Sequence, residues 1–165
     1  MNIVDVIEAC NKIDPAKLKN LCELVKSKST VIILGNGGSN AVASHISQDY
    51  TKKLKKRSFT FSDPSRLTCY INDYGMEEAN RQFLKEFSDP ETLVILISSS
   101  GNSVNILNCA DYCAKNSLDF IILSGFDKSN KLRNYSSAAK EEFWVDSKDY
   151  GVVECVHQII LHVPA

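Results

Sequence analysis

The stretch from Leu93 to Ser103 constrains the fold more than any other part of the chain. Leu93 to Ile97 is an unbroken apolar run rich in β-branched residues. A strand without polar alternation suits a parallel sheet covered on both faces. Ser98, Ser99, Ser100, Gly101, Asn102 and Ser103 follow as a small polar loop. Val104 to Cys113 then reads as a helix with Val104, Leu107, Ala110 and Cys113 inward. A buried strand, a hydroxyl-rich turn and a helix start make an anion site. The free N–H groups of the first helical turn point at the ligand, and the helix dipole favours negative charge. The serine hydroxyls add hydrogen bonds suited to a phosphate. On spacing alone, an N-capping turn with surplus serines explains the same residues.

A second strand–loop–helix unit precedes it. Thr30 to Leu34 is a buried strand, Gly35 to Asn40 a Gly-rich loop, and a helix is expected from about Ala41 to Lys53. Glycines at a strand–helix junction let the backbone approach a ligand closely. Gly35 and Gly37 match two glycines of the dinucleotide fingerprint, but Asn40 stands where the third belongs. No Gly-Lys-Ser/Thr follows either, so a P-loop fails and no nucleotide cofactor is expected. On the following helix, His45 and Asp49 are spaced to share a face. Lys52 to Arg57 is a basic cluster that suits a solvated helix end.

The rest of the chain continues the alternation. Residues 2–12 read as an amphipathic helix, and Asp14-Pro15 starts a second that runs to about Lys26. Strands are expected at Ser58–Phe61, Leu118–Leu123 and Glu142–Asp146, with Trp144 half buried. Arg66–Ile71 reads as a short helix or turn, Met76–Phe87 as a helix, and Lys131–Ser136 as a short helix. From Gly151 the chain is helical again, with Glu154, Gln158 and His162 on one stripe; His157 points elsewhere and reads as structural. The chain stops soon after His162, and a truncated C-terminus is one reading. Strand–helix alternation implies a parallel sheet wrapped by helices on both faces. Both loops, 35–40 and 98–103, then lie at the carboxyl edge of the sheet, where open α/β sheets bind ligands.

With 165 residues and a net charge of −1, the chain fits one domain without a basic field for nucleic acid. No apolar run approaches a membrane span, and the acid-bearing N-terminus is unlike a signal peptide, so a cytoplasmic protein is expected. The cysteines, Cys10, Cys22, Cys69, Cys109, Cys113 and Cys155, form no C-x-x-C pair. They read as reduced thiols, with Cys109 and Cys113 in the core rather than on a metal.

Three of these segments, in order, resemble one family. Gly35-Asn-Gly-Gly-Ser39, Asn72-Asp73-x-Gly75 and Ile97 to Ser103 are similar to motifs of the sugar isomerase (SIS) domain family, in its phosphoheptose isomerase branch. The likeness runs from about Val31 to His162. It implies a single SIS domain over 1–165, with N-terminal helices in 1–28 and an α/β core in 29–165. The fold would be a flavodoxin-like three-layer sandwich with a central parallel sheet. By resemblance, Ser98, Ser99, Ser100 and Ser103 grip a sugar phosphate, and Asn36, Gly37 and Ser39 contact substrate. Asp49 matches the catalytic glutamate and His162 the catalytic histidine. Asp73 matches a further active-site aspartate, and Lys53 a basic residue one turn beyond the acid. His45, Asp49, Glu154 and His162 match a zinc set found in some members.

The implied reaction is aldose–ketose isomerisation of sedoheptulose 7-phosphate to a heptose 7-phosphate, a precursor of bacterial surface polysaccharide. A homotetramer with shared active sites is implied as well. Two positions depart from the pattern. Asp49 is one methylene shorter than the family's Glu, which alters the reach of a general base. Glu154 replaces a Gln, which makes the four-residue set richer in carboxylate for zinc. The rival reading, kept open by Asp49, is a non-catalytic SIS protein that binds a phosphosugar or acts as a regulator.

Overall fold

A computed structural model describes residues 1–165. Two helices, α1 (Ile3–Asn11) and α2 (Pro15–Ser27), lead into β1 (Thr30–Leu34) and α3 (Gly38–Leu54). Then come β2 (Arg57–Thr60), α4 (Pro64–Tyr74), α5 (Ala79–Phe87), β3 (Thr92–Ser98) and α6 (Val104–Lys115). The chain closes with β4 (Asp119–Ser124), a 3₁₀ turn (Lys131–Tyr135), β5 (Glu141–Trp144) and α7 (Tyr150–His162). The strands form one parallel sheet in the order β2-β1-β3-β4-β5. This is the flavodoxin-like order, with its topological switch point between β1 and β3.

All five residues of β1 and all seven of β3 are buried, as unbroken apolar runs require at the centre of a covered sheet. Alternate side chains fill two cores. Val31, Ile33, Ile95 and Ile121 pack with α3 and α7 on one face, and α1 and α2 lean on the same core through Val6, Ala9 and Leu18. Ile32, Leu34, Val94 and Ile122 pack with α5 and α6 on the other. Cys109 and Cys113 belong to this second core, where burial pushes both thiols up, Cys113 to about 12. They are apolar filling, as expected. His157 is fully buried, bonds through Nε2 to Ser124 O at 3.1 Å, and is pulled down to about 4 by desolvation. No helix is long and apolar enough to cross a membrane.

Four expectations shift. α3 begins at Gly38 rather than near Ala41, because Gly37 (φ +53°) turns the chain directly into the helix. Gly35 must be glycine for this turn, since a β-carbon there would lie 2.8 Å from the Ser39 carbonyl carbon. α4 is longer than expected and takes Asn72 and Asp73 into its last turn. The Asp63 side chain caps its start ahead of Pro64, and Gly75 (φ +79°) ends it. α5 starts at Ala79 rather than Met76, which is exposed. α6 buries Ala110 and Cys113 as expected, but its first turns are rotated: Asn105, Ile106 and Cys109 also face inward, while Val104 is exposed. The cause lies at the switch point.

Candidate active site

Two helices start at the switch point, α3 after β1 and α6 after β3. α1, α2, α4 and α7 each have an Asn or Asp side chain capping their first amides. α3 and α6 have no capping side chain. α5 also lacks one, but it continues from the turn at 76–78. In the first turns of α3 and α6 only Asn40 N–H and Ile106 N–H close onto backbone, at Gly37 O and Ser103 O, no side chain caps the turn, and both dipoles favour an anion. Ser39, in the first turn of α3, places its Oγ 3.4 Å from Ser99 Oγ. Ser98 Oγ donates to Ser103 Oγ at 3.2 Å, and Asn102 N–H donates to Ser100 Oγ at 3.3 Å. Gly101, at φ +66°, lets the loop fold back on itself. The structure thus brings Gly37, Ser39, Ser98, Ser99, Ser100 and Ser103 to one place.

Asn36 is tied differently from expectation. Its carboxamide pairs reciprocally with Asn105 at 2.9 and 2.8 Å, and Asn105 also donates to Asn80 Oδ1 at 3.2 Å. This buried amide chain locks the Gly-rich loop to α6 and α5, and it draws Asn105 inward. A buried amide must find such partners. Asn105 and Asn80 were not picked out from the sequence. Their signal was an amide spaced with inward apolar residues, which apolar periodicity alone passes over.

A second cluster lies farther along α3. α3 and α7 run side by side in the same direction: Gly38 meets Glu154 near their starts, and Tyr50 Oη donates to Leu161 O at 2.9 Å near their ends. Toward the latter end, His45, Asp49 and His162 converge. The separations are 3.1 Å between the two Nε2 atoms, 3.5 Å from His162 Nε2 to Asp49 Oδ2 and 3.9 Å from His45 Nε2 to Asp49 Oδ2. His162 Nδ1 bonds to Gln158 O at 2.8 Å, which makes Nδ1 the donor and leaves Nε2 as acceptor. His45 Nε2–H then donates across the pair. Lys53 Nζ lies 2.9 Å from Asp49 Oδ2. That hydrogen bond, aided by the Lys53 charge and both imidazoles, outweighs partial burial and holds Asp49 below the usual carboxylate range.

The three ligand atoms suit a small cation of borderline softness. Zinc–ligand bonds of about 2.0–2.2 Å in a tetrahedron put ligand atoms about 3.3–3.6 Å apart, and the observed separations of 3.1, 3.5 and 3.9 Å straddle that spacing. Gln158 O orients His162 from its other ring nitrogen, while Lys53 shares Oδ2 of Asp49, the same atom that faces the two imidazoles. Glu154, the fourth member of the expected set, stands apart. Its carboxylate covers Gly38 at the start of α3, two helical turns from His162. Asp73 also stands apart, on the exposed last turn of α4, where Asn72 and Cys69 donate to it.

No family model matches the chain. A phosphoheptose isomerase of Fusobacterium nucleatum is 31% identical over 150 residues, covering 88% of this chain and 75% of that protein. The chain belongs to the phosphoheptose isomerase family. Another member, from Sodalis glossinidius, is 31% identical over 117 residues, 68% of this chain and 59% of that protein. The phosphoheptose isomerase structure from Neisseria gonorrhoeae superposes with a TM-score of 0.84 at 22% identity, covering 98% of this chain and 92% of that one. The fold is therefore the SIS-type α/β sandwich.

Proposed function

We propose that this protein is a phosphosugar aldose–ketose isomerase that converts sedoheptulose 7-phosphate to D-glycero-D-manno-heptose 7-phosphate. The convergence of Asp49 and His162 from separate helices carries this reading, supported by the relatives' name. In the proposed reaction, the serine loop and the two uncapped helix starts hold the phosphate. Asp49 removes a proton from C1 of the ketose and returns it to C2. His162 Nε2, an acceptor at rest, takes the proton from O1 and delivers it to O2, so the protons balance through an enediol. Lys53 keeps Asp49 ionised and ready. A zinc ion held by His45, Asp49 and His162 would polarise the substrate oxygens when bound. A zinc titration should show one ion per chain, lost in His45→Ala; no binding by the native chain would remove the metal from this account. The six unpaired cysteines accord with a cytoplasmic setting.

The two halves of the site are distant within one protomer. Ser39 and Asp49 lie about 15 Å apart along α3, at about 1.5 Å per residue. An extended seven-carbon sugar phosphate spans roughly 10 Å, judged from bonds near 1.5 Å. We infer that the protein is a homo-oligomer, of the homotetrameric kind, whose sites take the phosphate loop from one subunit and Asp49 with His162 from another. The exposed Ile3, Val4 and Ile7 on α1, and Ile159 and Val163 near the end of α7, offer apolar surface for assembly. Mixing two impaired variants, Ser99→Ala/Ser100→Ala and His162→Ala, tests this at substrate well below the raised KM of the first, where each alone is nearly silent. Sites shared between subunits should recover a substantial fraction of activity in mixed oligomers; no recovery on verified subunit exchange refutes sharing.

The Lys53 contact gives a pH signature. Asp49 must be ionised to act as base, so activity falls as pH drops through its pKa. Lys53 holds that pKa down. Lys53→Met should move the acid limb of kcat/KM to higher pH. An unmoved limb would show that another group sets it.

A further inference from the structure

The serine loop is braced from outside. Gly125 N–H donates to Ser99 O at 2.9 Å, and Leu132 N–H donates to Gly101 O at 2.9 Å. Lys131 N–H donates to Asn102 Oδ1 at 3.2 Å. All three donors belong to the segment that follows β4, and one side chain organises it. Asn130 is only 3% exposed. Its Nδ2 reaches Asp127 O at 2.8 Å, Gly125 O at 3.1 Å and Ser124 Oγ at 3.2 Å. Two amide hydrogens thus gather three acceptors. Its Oδ1 has no hydrogen-bond donor and rests against Gly101, where any β-carbon would overlap it. A buried acceptor without a donor is costly, and a weak C–H contact offsets little of that cost. The fold nonetheless keeps this oxygen on the one glycine of the serine loop.

We propose that Asn130 is a positioning residue for the phosphate-binding loop. It curls residues 124–130 into a buttress and presses its carboxamide on Gly101. This fixes Ser98 to Ser103 for an anion that Asn130 never touches. The proposal rests on the serine loop as the phosphate site, and is independent of Asp49 and His162 as the acid–base pair. No motif marked Asn130 in the sequence, because its partners are backbone groups on either side of a turn.

The test uses the full chain with Asn130→Ala and Asn130→Asp; the latter keeps the shape but loses the donor. Asn130→Ser is the milder variant should either unfold. Asn116→Ala removes an exposed side-chain bond to Tyr112 O at the far end of α6 and controls for loss of an amide contact away from the loop, with melting temperatures of all variants measured alongside. Two readouts are taken: the Kd of inorganic phosphate by calorimetry, and KM and kcat on sedoheptulose 7-phosphate. Each Asn130 variant should raise both phosphate Kd and KM about tenfold or more, as expected for displaced binding groups, with kcat within about twofold. Asn116→Ala should leave Kd and KM unchanged. Folded Asn130 variants with native Kd and KM would overturn the proposal, as would an equal loss in Asn116→Ala. A native chain that binds phosphate without turnover would sink the isomerase reading alone, and the Kd comparison would still decide the role of Asn130. A native chain that fails to bind phosphate would refute both the loop and its buttress.

Discussion

Asp49→Asn is expected to lower kcat by about 10²–10⁴-fold, the usual contribution of a positioned proton-transfer group. His162→Ala should fall in the same range, and the double variant should be little worse than either single one, because the two act on one proton cycle. The fold should survive. His45 and His162 are open enough to solvent that losing them hollows no core, and Asp49→Asn keeps the size of a buried side chain whose partners are Lys53 and the two imidazoles. Stopped-time assays of heptose 7-phosphate formation, alongside circular dichroism, would check this. A folded Asp49→Asn enzyme with native kcat would remove Asp49 from the chemistry. It would also favour the regulatory reading if the native protein binds phosphosugar without converting it.

The second large effect is expected in binding. Ser99→Ala with Ser100→Ala removes two hydroxyls from the loop at the switch point. Hydrogen bonds to a charged group contribute about 1.5–3 kcal/mol each, so KM should rise by about 100-fold or more. The effect on kcat should be smaller, since the reacting carbons lie at the other end of the substrate. Ser99 is buried beside Ser39, so its loss also loosens the contact between the two loops. An unchanged KM would show that the anion binds elsewhere.

Much of this was legible in the chain. β1 and β3 could be read because both faces of a central parallel strand must be apolar, which leaves no ambiguity of period. The start of α2 was marked by Asp14-Pro15, whereas the same pair at Asp63-Pro64 starts α4 ahead of the helix expected from Arg66. The inward face of α6 was legible at Ala110 and Cys113 but not at its start, because Asn105 is buried by its amide partners rather than by hydrophobicity. The early start of α3 was hidden because glycine carries little helix signal, although Gly37 is what turns the chain. In the site, His45, Asp49 and His162 met as their helical spacing and the family likeness implied. Glu154 did not join them. Spacing along α7 shows which stripe a residue shares, but not how far down a neighbouring helix it will be met.

The reciprocal amide pair of Asn36 and Asn105 joins positions 69 residues apart in the chain. Neither βα unit alone can present a finished anion receptor, so the pocket comes into being only when the centre of the sheet has closed. A phosphorylated ligand would then act as a fastener on a non-local step of folding. Its concentration should be written into the melting temperature of the whole molecule.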